Sequence, residues 1–228
     1  MPLDKVRQIL SQNAWFASLP NSLADKLLEK GKLKVLQNQQ ILHQKNEAAD
    51  GFYCVVSGRI RVSNFTIQGK ELVLTWIQPG NWFGEISLID GQPRTHDAHA
   101  EDTTTILKVP KITFEQLFIK NQVWSHYIMR LLCQRVRASF SLIDETGCLS
   151  LKGQLCKRLI IMQQGLQEQQ LQSMELNISQ DVLAQLIHSS RQTVNKILQS
   201  LQADNVIALR YGRLIIINRI ALEELSQI

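Results

Sequence analysis

Residues 33–110 alternate short runs of β-branched and aromatic residues with turn-forming residues, and this pattern constrains the fold more than any other part of the chain. The clearest runs span residues 52–56, 60–62 and 72–77. Glycines lie beside or between these runs, at Gly51, Gly58, Gly69 and Gly80. Many short strands at this spacing are typical of an antiparallel roll or barrel.

The segments on either side of this region have helical periodicity. Residues 4–30 predict short helices, and residues 123–145 contain no glycine or proline. Within the long segment, spacings of four and three residues join Trp124, Ile128, Leu131, Ala138 and Leu142, with Arg135 interrupting the stripe. This pattern favours a coiled-coil seam between two copies of the chain, and the alternative is a helix packed on its own domain. Gly147 is expected to end this helix and to act as a hinge.

Residues 179–203 predict a helix-turn-helix. Ser179 is a suitable N-cap for the first helix, and His188 with Ser189 supplies a short turn. Ser189 and Gln192 match a capping box at the start of the second helix. Its outward face carries side chains suited to base edges and phosphates, and the predicted DNA contacts are Ser179, Gln180, Ser190, Arg191, Gln192, Asn195 and Lys196. The alternative is an ordinary helical hairpin with a solvated face.

Residues 205–217 predict a β-wing after the second helix. Its tip carries Arg210 and Arg213, which are placed to grip DNA phosphates. The formal net charge of +5 favours a polyanionic partner.

Two motifs give the chain a resemblance to the catabolite activator (CRP/FNR) family of bacterial regulators. Residues 190–198 are similar to the family's recognition helix, and residues 79–88 followed by 93–95 resemble its phosphate-binding cassette. The resemblance implies an α+β fold with an N-terminal cyclic-nucleotide-binding-like β-roll (jelly roll), a long dimerisation helix and a C-terminal winged helix-turn-helix. The domains expected are residues 1–120, 121–147 and 148–228.

The family pattern also implies an effector site in the roll, with cAMP or another cyclic nucleotide as the ligand. By position, Arg94 and Thr95 would hold the cyclic phosphate, the turn at Gly84 would present backbone N–H groups, and Glu85 would accept a hydrogen bond from the ribose. Thr75 and Ile77 would line the base. Cys133 and Gln134 stand where cAMP-binding members have a Thr-Ser pair, and Gln134 is the predicted purine contact. Gln192 and Lys196 differ from the catabolite activator's residues and predict a different operator.

The partners implied are a second copy of the chain, a pseudo-palindromic double-stranded DNA operator and RNA polymerase. Ligand-independent control, or control by another effector, stays open. Two other classes of function compete with the DNA-binding regulator. One is a roll enzyme with a metal between His96 and His99, although residues three apart in a strand face opposite sides, so we predict no metal site and no catalytic residues. The other is a cyclic-nucleotide module acting on a protein partner.

The charged N-terminus and the lack of a long apolar run predict a cytosolic protein without a membrane partner and with reduced cysteines.

Overall fold

A computed structural model describes residues 1–69, 71–168, 175–210 and 213–227. The chain divides into two compact units, Met1–Val136 and Arg137–Ile228. Each unit has a separate hydrophobic core and is described by itself.

The first unit consists of short helices around a set of strands. The helices are α1 (Leu3–Leu10), α2 (Ala14–Ala17), α3 (Asn21–Lys30), α4 (Ile86–Ile89) and α5 (Lys111–Lys120). The strands are β1 (Lys32–Leu36), β2 (Ile41–His43), β3 (Gly51–Ser57), β4 (Ile60–Phe65), β5 (Glu71–Ile77), β6 (Trp82–Phe83), β7 (Asp97–Ala100) and β8 (Thr104–Pro110).

These strands form two antiparallel four-stranded sheets. One has the order β1-β8-β3-β6 and the other β2-β7-β4-β5. Strand β4 pairs with β5 from Ile60↔Ile77 to Phe65↔Glu71, with a register shift between Val62 and Ser63. Non-consecutive neighbours in both sheets are typical of a jelly roll. The roll predicted from the sequence is confirmed.

A cluster of aromatic side chains fills the core between the helices and the first sheet. Phe52 stacks on Trp82 with ring centroids 4.8 Å apart, and Trp15 lies within about 6 Å of Phe52, Trp82 and Trp124. The Nε1 group of Trp15 donates a 2.7 Å hydrogen bond to the carbonyl of Tyr127. This cluster therefore joins the N-terminal helices, β3, β6 and the start of the long helix.

The long helix is α6 (Gln122–Cys148), with 27 residues. It continues through Gly147, so the prediction that this glycine ends the helix is wrong. A Cβ added at Gly147 would meet nothing within 4 Å. An isolated glycine costs a helix only about 1 kcal/mol relative to alanine, which one of this length tolerates.

The second unit is a small helical domain with a three-stranded sheet. Its elements are α7 (Leu151–Glu168), β9 (Glu175–Asn177), α8 (Gln180–Leu186), α9 (Arg191–Ala203), β10 (Ile207–Arg210), β11 (Arg213–Ile216) and α10 (Arg219–Leu225). The sheet has the order β10-β11-β9 and is antiparallel. Its apolar core includes Leu159, Leu183, Val194, Leu198 and Leu214. The predicted tip of the wing, residues 211–212, lies outside the described residues. A winged helix-turn-helix is confirmed.

None of the helices in the described residues combines the length and the apolar character that crossing a membrane requires.

Candidate effector cavity and DNA-binding surface

A cavity of about 190 Å³ opens in the roll beside the cassette predicted from the sequence. Six of the predicted nucleotide contacts line it, namely Thr75, Ile77, Gly84, Glu85, Arg94 and Thr95. They come from β5, from the turn before α4 and from the loop before β7. The apolar part of the wall includes Val62, Leu74 and Phe83. The cavity therefore combines an arginine and a carboxylate with an apolar slot.

Arg94 is fixed before any ligand arrives. Its side chain is only 3% exposed, and it donates 2.8 Å hydrogen bonds to the backbone carbonyls of Gly84 and Gly51. Asp50 lies 3.3 Å from Nη2. The guanidinium also stands 5.2 Å from the ring centre of Tyr53. Arg94 thus holds the turn in place as well as supplying positive charge, a structural role that the motif alone does not reveal.

Gly84 permits this arrangement. Its φ of +90° lies in the left-handed region that favours glycine. A Cβ added there would stand 2.9 Å from Nη1 of Arg94 and 3.1 Å from the ring of Tyr53. The cassette turn can therefore approach the arginine closely only because this residue has no side chain.

Glu85 is buried and faces the long helix. Its Oε1 lies 3.5 Å from Nε of Arg135 on α6. Its Oε2 is buried without a hydrogen-bond partner in the described part of the chain. Arg135 also lines the cavity and donates to the carbonyl of Trp82. Gln134, the purine contact predicted from the sequence, is exposed and is not among the cavity-lining residues of this protomer.

Two histidines complete the wall near the arginine. His43 stacks on Tyr53, and burial, with a smaller effect of the nearby Arg94 charge, lowers its pKa to about 4. His96 lies with Nδ1 2.9 Å from the hydroxyl of Thr95, and burial followed by the charge of Lys45 lowers its pKa. Both rings are therefore neutral at pH 7. His96 lines the cavity and His99 does not. Within the described residues, no three His, Cys, Asp or Glu side chains come together as a metal site would require.

The helix-turn-helix is formed by α8 and α9. Ser179 caps α8 by accepting a 3.2 Å hydrogen bond from the N–H of Val182. Ser190, not Ser189, caps α9 and accepts from the N–H of Thr193, so the predicted capping box of Ser189 and Gln192 is wrong. His188 in the turn has φ of +49°, in the left-handed region that favours glycine.

The outward face of α9 is polar and largely exposed. Arg191, Gln192 and Lys196 are exposed, and Asn195 is half-buried. The face is tied to the first turn of α8 twice: Arg191 lies 3.6 Å from Asp181, and the side-chain amide of Gln180 donates a 3.3 Å hydrogen bond to Asn195.

The wing lies at the end of the same domain. Arg210 and Arg213 are register partners at the ends of β10 and β11, and both are exposed. Arg213 pairs with Glu175 at 3.0 Å. The arginines therefore flank the tip of the hairpin, as the sequence predicts.

The predicted dimer seam is wrong for three of its five residues. Trp124, Ile128 and Leu131 are buried in the core of the first unit, so these three cannot lie between subunits. Ala138 is exposed and Leu142 is half-buried. The physical reason is that a spacing of four and three residues marks a helix face packed on something, without identifying whether this is the roll of the same chain or a second copy.

Comparisons with known proteins identify two domains along the chain, in the same order as the roll and the helix-turn-helix described above. A model of the cyclic nucleotide-binding domain matches residues 33–121, and a model of the Crp-like helix-turn-helix domain matches residues 153–225. A CRP-like cAMP-activated global transcriptional regulator of Mycobacterium tuberculosis is 29% identical over 68% of this chain and 70% of its own. The cAMP-activated global transcriptional regulator CRP of Haemophilus influenzae is 23% identical over 94% and 96%.

A solved structure has the same fold. It is the c-di-GMP-responsive global regulator CLP of Xanthomonas campestris, which is 18% identical over 86% of this chain and 99% of its own, with a TM-score of 0.71. The two domain models match the roll and the winged helix-turn-helix in the order in which they follow along the chain, and the H. influenzae relative aligns over 94% of it. The chain belongs to the CRP/FNR family of DNA-binding transcription regulators.

Proposed function

We propose that this regulator binds a pseudo-palindromic DNA operator as a homodimer, under the control of a cyclic nucleotide held in the roll. The observation that carries the proposal is the cavity in which Glu85, Arg94 and Thr95 meet an apolar slot. RNA polymerase is the further partner expected of a transcription regulator.

The polar groups of the cavity match the parts of a cyclic nucleotide. The anchored guanidinium of Arg94 and the hydroxyl of Thr95 suit phosphate oxygens. The buried Oε2 of Glu85 has no hydrogen-bond partner in the described residues, and a ribose hydroxyl would supply the missing donor. The wall formed by Leu74, Thr75 and Ile77 suits the flat face of a base.

The identity of the nucleotide is a separate matter from its class. The relatives of M. tuberculosis and H. influenzae are named for activation by cAMP, and the X. campestris regulator is described as responsive to c-di-GMP. Both ligands carry a phosphodiester and a purine. Calorimetric titration with cAMP, cGMP and c-di-GMP should therefore show at least one that binds in the micromolar range or tighter. If none binds the wild-type protein, cyclic-nucleotide control is wrong.

A different face of α6 supports the homodimer. Met129, Val136, Phe140 and Ile143 are each at least half exposed, and their spacings of seven, four and three residues place them along one stripe. This stripe lies about a third of a turn round the helix from the buried face that begins at Trp124. Large apolar side chains in such a row favour burial against a second copy.

Sedimentation of Phe140→Glu tests this seam. A buried carboxylate at the interface opposes association, so this variant should be monomeric at concentrations where the wild type is dimeric. Ser141→Glu adds the same charge at an exposed position off the stripe and should remain dimeric. A dimeric Phe140→Glu protein would place the interface elsewhere.

Selection of genomic fragments followed by sequencing tests the DNA side of the proposal. A dimer with two recognition helices predicts an enriched site with two inverted half-sites separated by about one helical turn. Enrichment that increases with added nucleotide supports the complete proposal. The absence of any enriched site would favour the alternative in which the nucleotide domain acts on a protein partner.

A further inference from the structure

His96 is a cavity-lining residue to which the proposed function assigns no role. The sequence singles it out only as one half of a histidine pair with His99. The structure divides this pair, because His96 lines the cavity and His99 does not. The Nδ1 atom of His96 lies 2.9 Å from the hydroxyl oxygen of Thr95. His96 is therefore hydrogen-bonded to the hydroxyl that the proposed function gives to the phosphate.

Arg94 does not satisfy a bound phosphate by itself. Its Nη1 and Nη2 groups already donate to the carbonyls of Gly84 and Gly51, and Nη2 also lies 3.3 Å from Asp50. Its Nε is buried without a hydrogen-bond partner in the described part of the chain. The free oxygens of a phosphodiester each accept more than one hydrogen bond. Further donors must therefore come from other groups, and the hydroxyl of Thr95 is one of them.

The direction of the hydrogen bond between Thr95 and His96 decides whether this hydroxyl can serve. A hydroxyl has one proton to donate, and the oxygens of an ionised phosphodiester only accept. If Thr95 donates to His96, no donor remains for the phosphate. If Nδ1 of His96 carries a proton and donates to Thr95, the hydroxyl can donate to the phosphate. Binding of the anion therefore selects the second arrangement.

We propose that His96 is a positioning residue of the phosphate site, which donates from Nδ1 to the hydroxyl of Thr95 and so directs that hydroxyl towards the ligand. The inference rests on the proposed function. A phosphate oxygen that accepts from Thr95 lies within about 6 Å of Nδ1. A negative charge at this distance favours the imidazolium, in which both ring nitrogens carry protons. The ring should consequently take up a proton when the anion binds.

The charges around His96 set the sign of the pH dependence. In the free protein, burial and then the charge of Lys45 hold the pKa of His96 below its ordinary value, and Asp97 acts in the opposite direction. Lys45 belongs to the loop between β2 and β3, and its backbone N–H donates a 2.7 Å hydrogen bond to Asp97. The other titratable or charged residues that line the cavity are His43, Glu85, Arg94 and Arg135.

Binding of an anion raises the pKa of His96 from this low starting point. Nucleotide affinity should therefore increase as the pH falls from the pKa of the complex towards that of the free protein. The phosphodiester itself stays ionised over this range, so the slope reports on the protein.

Calorimetric titration of the full-length protein at pH values from about 6 to 8 tests the proposal, with cAMP, cGMP and c-di-GMP as probes. The nucleotide that the wild type binds best should bind about three- to tenfold more tightly at the lower pH. The dependence of the binding enthalpy on the ionisation enthalpy of the buffer should show proton uptake.

Two substitutions separate the donor from the titrating group. His96→Asn keeps an amide donor near the position of Nδ1 but cannot titrate, so at the higher pH its affinity should stay within about twofold of the wild type, without the pH dependence. His96→Ala also removes the donor and should bind about three- to tenfold more weakly at the higher pH, as expected for one hydrogen bond. In a Thr95→Ala background, His96→Ala should weaken binding no further at this pH, because the hydroxyl that it positions is gone.

His99→Gln is the matched control. It removes an imidazole three residues further along the chain, at a position that does not line the cavity. Its nucleotide affinity and its pH dependence should equal those of the wild type. Circular dichroism at both pH values checks that each variant is folded.

The possible results distinguish the explanations. A pH dependence that is absent from the wild type, or that persists in His96→Asn, would overturn the proposal. An equal loss from His96→Ala with and without the Thr95 hydroxyl would make His96 a direct ligand contact, which also overturns it. If none of the probes binds the wild type at any pH, the proposed effector class itself fails, and the inference that rests on it fails too.

Discussion

The two binding surfaces hold their arginines in opposite ways. Arg94 in the roll is 3% exposed and is fixed by the carbonyls of Gly84 and Gly51 before a ligand binds. Arg191 on the recognition helix has 67% of its side chain exposed and meets Asp181 at 3.6 Å. A small anion has to be stripped of water in an enclosed site, so the cation awaiting it must be satisfied in advance. DNA offers a long row of phosphates and base edges, to which exposed side chains can adjust on contact.

This contrast has a consequence for substitutions. Changes at the buried arginine of the cassette should affect the stability of the fold and ligand binding together. Changes on the recognition helix should affect DNA binding alone. The predictions below test that division.

Arg94→Ala should produce the largest effect. It leaves the buried carbonyl of Gly51 and the part-buried carbonyl of Gly84 without the arginine donor, which is expected to cost on the order of 2–4 kcal/mol of unfolding free energy. It also removes the cation proposed to hold the phosphate, so nucleotide binding should be lost. Urea unfolding and calorimetry measure the two quantities.

Thr95→Ala is the control within the same cassette. Thr95 lines the cavity but is exposed, so its loss should weaken nucleotide binding with an unfolding free energy within about 0.5 kcal/mol of the wild type. If Arg94→Ala proves as stable as Thr95→Ala, the cassette arginine is not a structural anchor and the contrast between the two surfaces fails.

Arg191→Ala should affect DNA binding and leave stability unchanged. Loss of a base-reading arginine is expected to cost about 1–3 kcal/mol of specific binding and to relax one operator position. Arg213→Ala on the wing should instead weaken binding to all sequences alike and lower the salt dependence, as expected of a phosphate contact. Binding of both variants to operator libraries at several salt concentrations distinguishes these outcomes. A uniform loss for Arg191→Ala would reassign it to the backbone.

The parts of the molecule carried by contiguous motifs were accessible from the sequence. Gly84, Glu85, Arg94 and Thr95 lie in one short segment whose turn brings them to one cavity, and Thr75 and Ile77 reach the same cavity from a strand. The helix-turn-helix was equally accessible because its cap, turn and apolar stripe are local. The sequence pattern predicts that residues 33–110 form short antiparallel strands. It does not predict the order of these strands in the two sheets, because that order depends on long-range pairing.

The sequence could not show which surface packs against each face of the long helix. The stripe from Trp124 to Leu142 was interpreted as a subunit seam, but its first three members pack on the roll of their own chain. The same ambiguity concealed Arg135, since a charged residue within an apolar stripe has no evident partner until the roll is placed beside it. Alignment pointed to the neighbouring Gln134, whose side chain leaves the helix about 100° away from that of Arg135 and is exposed in the single chain.

Stability of the roll should depend on pH through His43. Its pKa is about 4 in the folded protein and about 6.5 when unfolded, so the unfolded chain binds more protons between these values. Stability is therefore fully present above about pH 6.5 and falls as the pH drops towards 4, with a slope of up to about 1.4 kcal/mol per pH unit. All four tryptophans lie in the first unit, so their fluorescence reports unfolding of the roll.

His43→Gln should flatten this dependence. His96, whose pKa is also lowered, should account for the slope that remains. A profile for His43→Gln that superimposes on that of the wild type would show that the buried imidazole does not govern acid stability of the roll.

The smallest effect is expected at Asp181, which faces the recognition arginine. Its carboxylate holds Arg191 near the first turn of α8 and disfavours approach of phosphates. Without this carboxylate, Arg191 can turn to any phosphate. Asp181→Asn should therefore raise the affinity for random DNA by about two- to threefold and the affinity for the operator by less. The ratio of operator affinity to random-DNA affinity should consequently fall. Asp204→Asn removes the same charge from the same domain, but Asp204 pairs with Lys152 and not with the recognition face. If the two variants change both affinities equally, Asp181 acts only through net charge, and the exposed arginine needs no partner to read its base.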